Sequence, residues 1–125
     1  MTDSELEQFI ASNIHSVEEV EILALLNRSP ETFWSADAMS QQLGIKSDVV
    51  AARARDLVRR GLLRAAESGP AFRFAPSDDT KESIQMLLDT YRDRRVTVIN
   101  AIYSANLTRL RSFAEAFKLG GGEKK

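Results

Sequence analysis

Seven basic side chains fall between residues 46 and 73, namely Lys46, Arg53, Arg55, Arg59, Arg60, Arg64 and Arg73, against three acids. Residues 1–45 carry one basic side chain, Arg28, against eight acids, and residues 74–125 carry nine against seven, so the net charge of −1 hides a strong segregation. A basic block inside an acidic chain is where an anionic partner would bind. Other chemistries lack their residues. There is no cysteine and one histidine, His15, which removes thiol catalysis, disulfides and Cys/His zinc patterns. A lone histidine at a helix junction reads as a capping or surface residue. The carboxylates fall in solvated helical patterns, no glycine-rich loop follows a strand, and Gly120, Gly121 and Gly122 lie in a tail, so the sequence predicts neither enzymatic activity nor a cofactor.

The elements that must carry those cations follow from periodicity and punctuation. A chain of 125 residues with 43% hydrophobic side chains can close one core unaided, which predicts one domain with an appendage. Leu6, Phe9, Ile10 and Ile14 share one helical face over residues 3–14, behind acids at the positive end of the helix. Ser16 with Glu19 forms a capping-box pattern ahead of Val17, Val20, Ile22, Leu23, Leu25 and Leu26, which wrap most of a helix that ends near Arg28 and serves as the central core element. A short extended piece, Glu31-Thr32-Phe33-Trp34, leads to Ser35, which opens a short helix closed by Gly44, and Ser47 caps another, closed by Gly61, with Val50, Ala54 and Leu57 on its inner face. Two short strands, 62–66 and 71–75, then form a hairpin. Residues 76–79 stop the hairpin and can cap a helix from about residue 80 that continues to Leu119, with Ser104 and Asn106 as cap residues at which it could break. Residues 120–125 are expected to be disordered.

Within this order, Trp34-Ser35-Ala36-Asp37-Ala38-Met39, then Leu43-Gly44-Ile45, then Val50, Arg53, Ala54, Leu57 and Gly61-Leu62-Leu63 resemble bacterial winged-helix regulators of the broad MarR, PadR and ArsR type. The resemblance covers about residues 16–76, and the long helix behind it is similar in plan to the PadR type. It implies a mainly α winged helix-turn-helix in four parts: an N-terminal helix within 1–15, the winged domain 16–76, a dimerisation helix 77–119 and the tail 120–125. It further implies a recognition helix over 46–60 in the major groove of double-stranded DNA, a wing over 62–75 on the backbone, and homodimerisation through terminal helices.

With Ala54 facing the core, Val49, Ala52 and Asp56 point outward, Arg53 and Arg60 flank one shoulder and Arg55 and Arg59 the other. The candidate DNA-contacting set is therefore Lys46, Ser47, Val49, Ala52, Arg53, Arg55, Arg59, Arg64 and Arg73. Asp48, Asp56 and a pI near 5.9 oppose that assignment, and the alternative is a winged-helix module that docks an unidentified protein partner. The candidate dimer seam is Ile84, Leu88, Tyr91, Arg95, Ile99, Ile102, Leu110, Phe113 and Phe117. Residues 1–12 are acidic and polar, unlike a signal peptide, and the longest uncharged stretch, Val96 to Thr108, is too short to span a bilayer, so a cytoplasmic protein with no membrane partner is expected.

Overall fold

The computed structural model describes the backbone of residues 2–122 and the side chains of residues 2–116. Among them are six helices and one small antiparallel sheet, in the order α1 (Asp3–Asn13), α2 (Val17–Asn27), β1 (Trp34–Ser35), α3 (Ala36–Leu43), α4 (Ser47–Arg59), β2 (Leu63–Ala65), β3 (Ala71–Phe74), α5 (Asp78–Asp93) and α6 (Arg95–Gly122). Helix starts follow local capping chemistry. Thr2 and Glu5 close a capping box on α1, Ser16 accepts the Glu19 N–H at the head of α2, Ser35 accepts the Ala38 N–H, and Ser77 accepts the Thr80 N–H. Gly44 ends α3 with φ of 70°, a left-handed conformation that disfavours any residue with a Cβ, and its N–H donates to the Ser40 carbonyl. α2 is the centre of the core: Val20, Ile22, Leu23, Leu25 and Leu26 are all buried.

The short extended piece expected at Trp34 is a strand, and it joins the hairpin in a sheet of order β1-β3-β2, with Trp34 opposite Phe72 and Ser35 opposite Ala71. That pairing ties the start of α3 to the hairpin, extended by the Ala36 N–H donating to the Pro70 carbonyl at 2.8 Å. Phe72 and Phe74 alternate with Arg73, so the aromatics enter the core while Arg73 leaves the other face.

The helix over 77–119 departs from expectation: it is not continuous. The chain breaks at Arg94 (φ −140°, ψ 66°), while Ser104 and Asn106 lie inside α6. No glycine or proline marks this break. Burial accounts for it. A straight continuation would carry Val98 and Ile102 into solvent, whereas both are buried, in a helix that packs on α1 and α5. Burying two such side chains is worth about 3–6 kcal/mol, more than the hydrogen bonds interrupted at one residue, at about 1 kcal/mol each.

Asn106 does not cap a helix; its amide donates to the His15 carbonyl at 3.0 Å. Arg109 donates to the Ala11 carbonyl, so α6 is fastened to the end of α1 as far as residue 109. Residues 110–116 are exposed. Residues 120–122 belong to α6 rather than to a disordered tail, since the hydrogen-bonded turns begun upstream carry through the glycines, and residues 123–125 lie outside the described residues. Among the described residues, no helix is long and apolar enough to cross a membrane.

Candidate nucleic-acid interface

α4 buries Val50, Ala51, Ala54 and Leu57. The burial of Ala51 turns the helix from the orientation expected with Ala54 alone as the inner reference. Its exposed residues are therefore Asp48, Arg55 and Arg59, with Val49, Ala52, Arg53 and Asp56 only partly exposed. Lys46 is the N-cap residue and makes no side-chain cap bond. Ser47, expected as the cap, instead donates its hydroxyl to Asp37 Oδ1 at 2.6 Å and fastens α4 to α3. Asp48 accepts the Val49 N–H at 2.8 Å, a carboxylate at the positive end of the helix.

The arginines of this helix do not act alike. Asp56 stands three residues from both Arg53 and Arg59 and pairs with each, at 3.3 Å to Arg53. Arg60 turns inward. Its Nη1 donates to the Asn13 carbonyl at 2.8 Å and to Glu19 Oε1 at 2.9 Å, and its Nη2 meets His15 Nδ1 at 3.0 Å. Glu19 is fully buried and also accepts the His15 N–H at 2.6 Å, so its carboxylate reaches past the expected capping box and joins the α1–α2 junction to the end of α4. Burial, then Arg60 and Arg109, lower the His15 pKa below 6.5. An arginine donating to Nδ1 favours the same neutral imidazole.

The hairpin is organised differently. The register sets Arg64 directly opposite Arg73, so both side chains leave one face of the ladder. Arg73 lies over the Phe33 ring, 5.7 Å from its centroid. Among the described residues, Lys46, Arg55, Arg64 and Arg73 have no carboxylate within ion-pair distance. The structure thus brings Arg55 and Arg59 to one exposed face, leaves Val49 and Ala52 partly accessible beside them, and holds Arg53 against Asp56. Trp34 is partly buried against the core, as an anchor of β1.

The expected dimer seam is divided. Ile84, Tyr91 and Ile102 are buried in the chain's own core, and Leu88 and Ile99 pack against it, because the break at Arg94 turns α6 onto α1. Tyr91 donates its hydroxyl to Glu21, and burial with that hydrogen bond pushes its pKa up to about 12. Arg95 stacks on the Tyr91 ring at 4.5 Å, while Arg94 faces Asp3 of α1 at 3.8 Å. Leu110 and Phe113 are exposed, and the Phe117 side chain lies outside the described residues. A different line emerges on α6. Val96, Tyr103, Leu107 and Leu110 are all exposed and recur at steps of seven, four and three, the spacing of a heptad seam.

Among the described residues, no group of three or more acidic or histidine side chains is placed to hold a metal ion. No protein-family model, curated protein or solved structure matches the chain.

Proposed function

We propose that this chain is a winged-helix protein that binds double-stranded DNA as a homodimer and acts as a cytoplasmic transcriptional regulator. One observation carries the reading. The tight Gly44 turn sets α3 and α4 together, the hairpin follows α4 and pairs through β3 with β1, and the cations without carboxylate partners, Lys46, Arg55, Arg64 and Arg73, sit on α4 and on that hairpin. In this reading the Asp48, Ala52, Arg55, Arg59 face of α4 enters the major groove. Lys46 at the head of α4 and the hairpin arginines hold flanking phosphates. Ala52 is small enough to allow close approach to base edges. Dimerisation runs along the exposed line Val96, Tyr103, Leu107 and Leu110, not through Ile84, Tyr91 or Ile102.

Titration of labelled random duplex at about 50 mM salt tests the reading. If each protomer neutralises about four phosphates, the slope of log K against log salt is about −7 for the dimer. No binding below about 100 μM under those conditions rejects it, since nonspecific electrostatic affinity is already present at low salt. A protein-docking module is the second reading, favoured by Asp56, which neutralises Arg53 and Arg59 on the same helix. It predicts no duplex affinity and loss of a protein partner on substitution of Val49 or Ala52.

A further inference from the structure

The outer face of the hairpin opens into a cleft of about 340 Å³ between the strands, the start of α5 and the loop after α2. Arg64, Arg73 and Lys81 line it together with one carboxylate, Glu31. Lys81 comes from α5, outside the segment read as basic in the sequence. Among the described residues, none of the three cations ion-pairs with a carboxylate, Glu31 included. Arg64 and Arg73 are direct cross-strand partners, an arrangement that costs stability when both are cationic and no anion lies between them. Phe33 lies against the Arg73 guanidinium and restricts where it points. A second pocket of about 460 Å³ shares Lys81 and Glu31 with the cleft, and there Asn27 and Gln85 offer neutral donors and acceptors beside one further carboxylate, Glu82.

We infer that Arg64, Arg73 and Lys81 form an oxyanion site for a phosphate group. Three cations line the cleft from three elements, β2, β3 and α5, and a phosphate with oxygens in several directions can meet all of them at once, relieving the Arg64–Arg73 repulsion. The phosphate comes either from a small phosphate ester whose organic part fills the second pocket or from the backbone of a duplex. The inference does not rest on the DNA reading, because it requires only the cleft.

The test is titration of the full chain with sodium pyrophosphate at about 20 mM salt, followed calorimetrically against sodium chloride of equal ionic strength. Saturable binding with a dissociation constant on the order of 1 mM is expected, weakened about tenfold in Arg64→Gln and in Lys81→Gln, as for loss of one charge-assisted contact. Glu31→Gln is expected to tighten it. Arg64→Gln without ligand is expected to melt no lower than the parent, since it removes a like-charge neighbour; a merely structural arginine would lower the midpoint. A response indistinguishable from sodium chloride, or equal pyrophosphate binding by the parent, Arg64→Gln and Lys81→Gln, overturns the inference. Adding excess duplex separates the sources. Mutual exclusion assigns the phosphate to the nucleic-acid backbone, and simultaneous binding assigns it to a free ester. Pyrophosphate binding without duplex binding defeats the DNA reading and leaves the cleft standing, and the reverse result defeats the cleft alone.

Discussion

α4 and the β2–β3 hairpin are adjacent in sequence and both rich in arginine, yet among the described residues Arg53, Arg59 and Arg60 at α4 and its end are paired and only Arg55 is not, whereas neither hairpin arginine meets a carboxylate. On α4, Asp56 lies one helical turn from Arg53 and from Arg59 and pairs with both, and the buried Glu19 draws Arg60 into the core. On the hairpin, the residue facing Arg64 across the ladder is Arg73, and neither has an acid in register. The difference is one of geometry more than of composition. A helix places residues three apart on one side, so a single carboxylate reaches two arginines, whereas a strand presents its side chain to whatever the register sets opposite. Counting arginines therefore overstates the positive potential of α4 and understates that of the hairpin.

The largest effect is expected where a charge is most deeply neutralised. Glu19→Ala leaves the Arg60 guanidinium, with 18% of its side chain exposed, facing the α1–α2 junction without its carboxylate, and should destabilise the fold by about 3–5 kcal/mol in denaturant titration. A loss under about 1 kcal/mol would mean that the pair is ornamental. The apolar side chains of α6 divide in the same way. Ile102→Ala should cost about 2–5 kcal/mol because the side chain belongs to the chain's own core, while Leu110→Ala, at an exposed position, should change the stability of the monomer by less than about 0.5 kcal/mol. Equal costs would place both residues in one buried seam. Leu110→Asp should then lower the sedimentation-derived dimer fraction without unfolding the chain.

Asp56→Asn erases the contrast between the two basic regions. It releases Arg53 and Arg59, so duplex affinity at low salt should rise about tenfold and the salt slope steepen by up to about four units for a dimer. Stability should fall by less than about 1 kcal/mol, since Arg59 keeps 70% of its side chain in solvent. Unchanged duplex affinity would favour the docking reading of α4. A finer comparison sets Arg64→Gln against Arg59→Gln. The first should flatten the slope by about two units for a dimer, and the second by less, because Asp56 already offsets that charge.

The smallest effect concerns pH. The native His15 pKa lies below 6.5, so the unfolded chain binds that proton more tightly. The contribution is fully present above pH 6.5 and is lost as pH falls through the lowered native pKa. Between about pH 7.5 and about pH 5.5 the denaturation midpoint of the parent should therefore drop more than that of His15→Gln. Parallel drops would assign the acid sensitivity to other groups.

Much of the element order is legible in the residues because the signals are local. α1 spans Asp3–Asn13 as its apolar spacing predicts, Ser16 and Ser35 cap where a hydroxyl precedes an apolar run, Ser77 caps ahead of the acids Asp78 and Asp79, and Gly44 closes α3 in a left-handed turn. Each of these depends on neighbours within one helical turn. The candidate site was partly legible. The segregated charge pointed to residues 46–73, and the hairpin expected over 62–75 carries Arg64 and Arg73.

Other features depended on segments meeting in space. The partner of β1 is β3, which only the fold brings beside it, and the Glu19–Arg60 pair joins residues 41 apart. The break at Arg94 carries no glycine or proline signal and arises because Val98 and Ile102 find a partner surface on α1 and α5. Lys81 gained its place beside Arg64 and Arg73 only when the start of α5 came against the hairpin. Local propensities amount to tenths of a kcal/mol per residue, whereas burying one large side chain or one paired charge involves several. The sequence alone therefore determined where helices start and where cations cluster. Tertiary packing decided which cations keep their charge free, and where the long C-terminal helix divides.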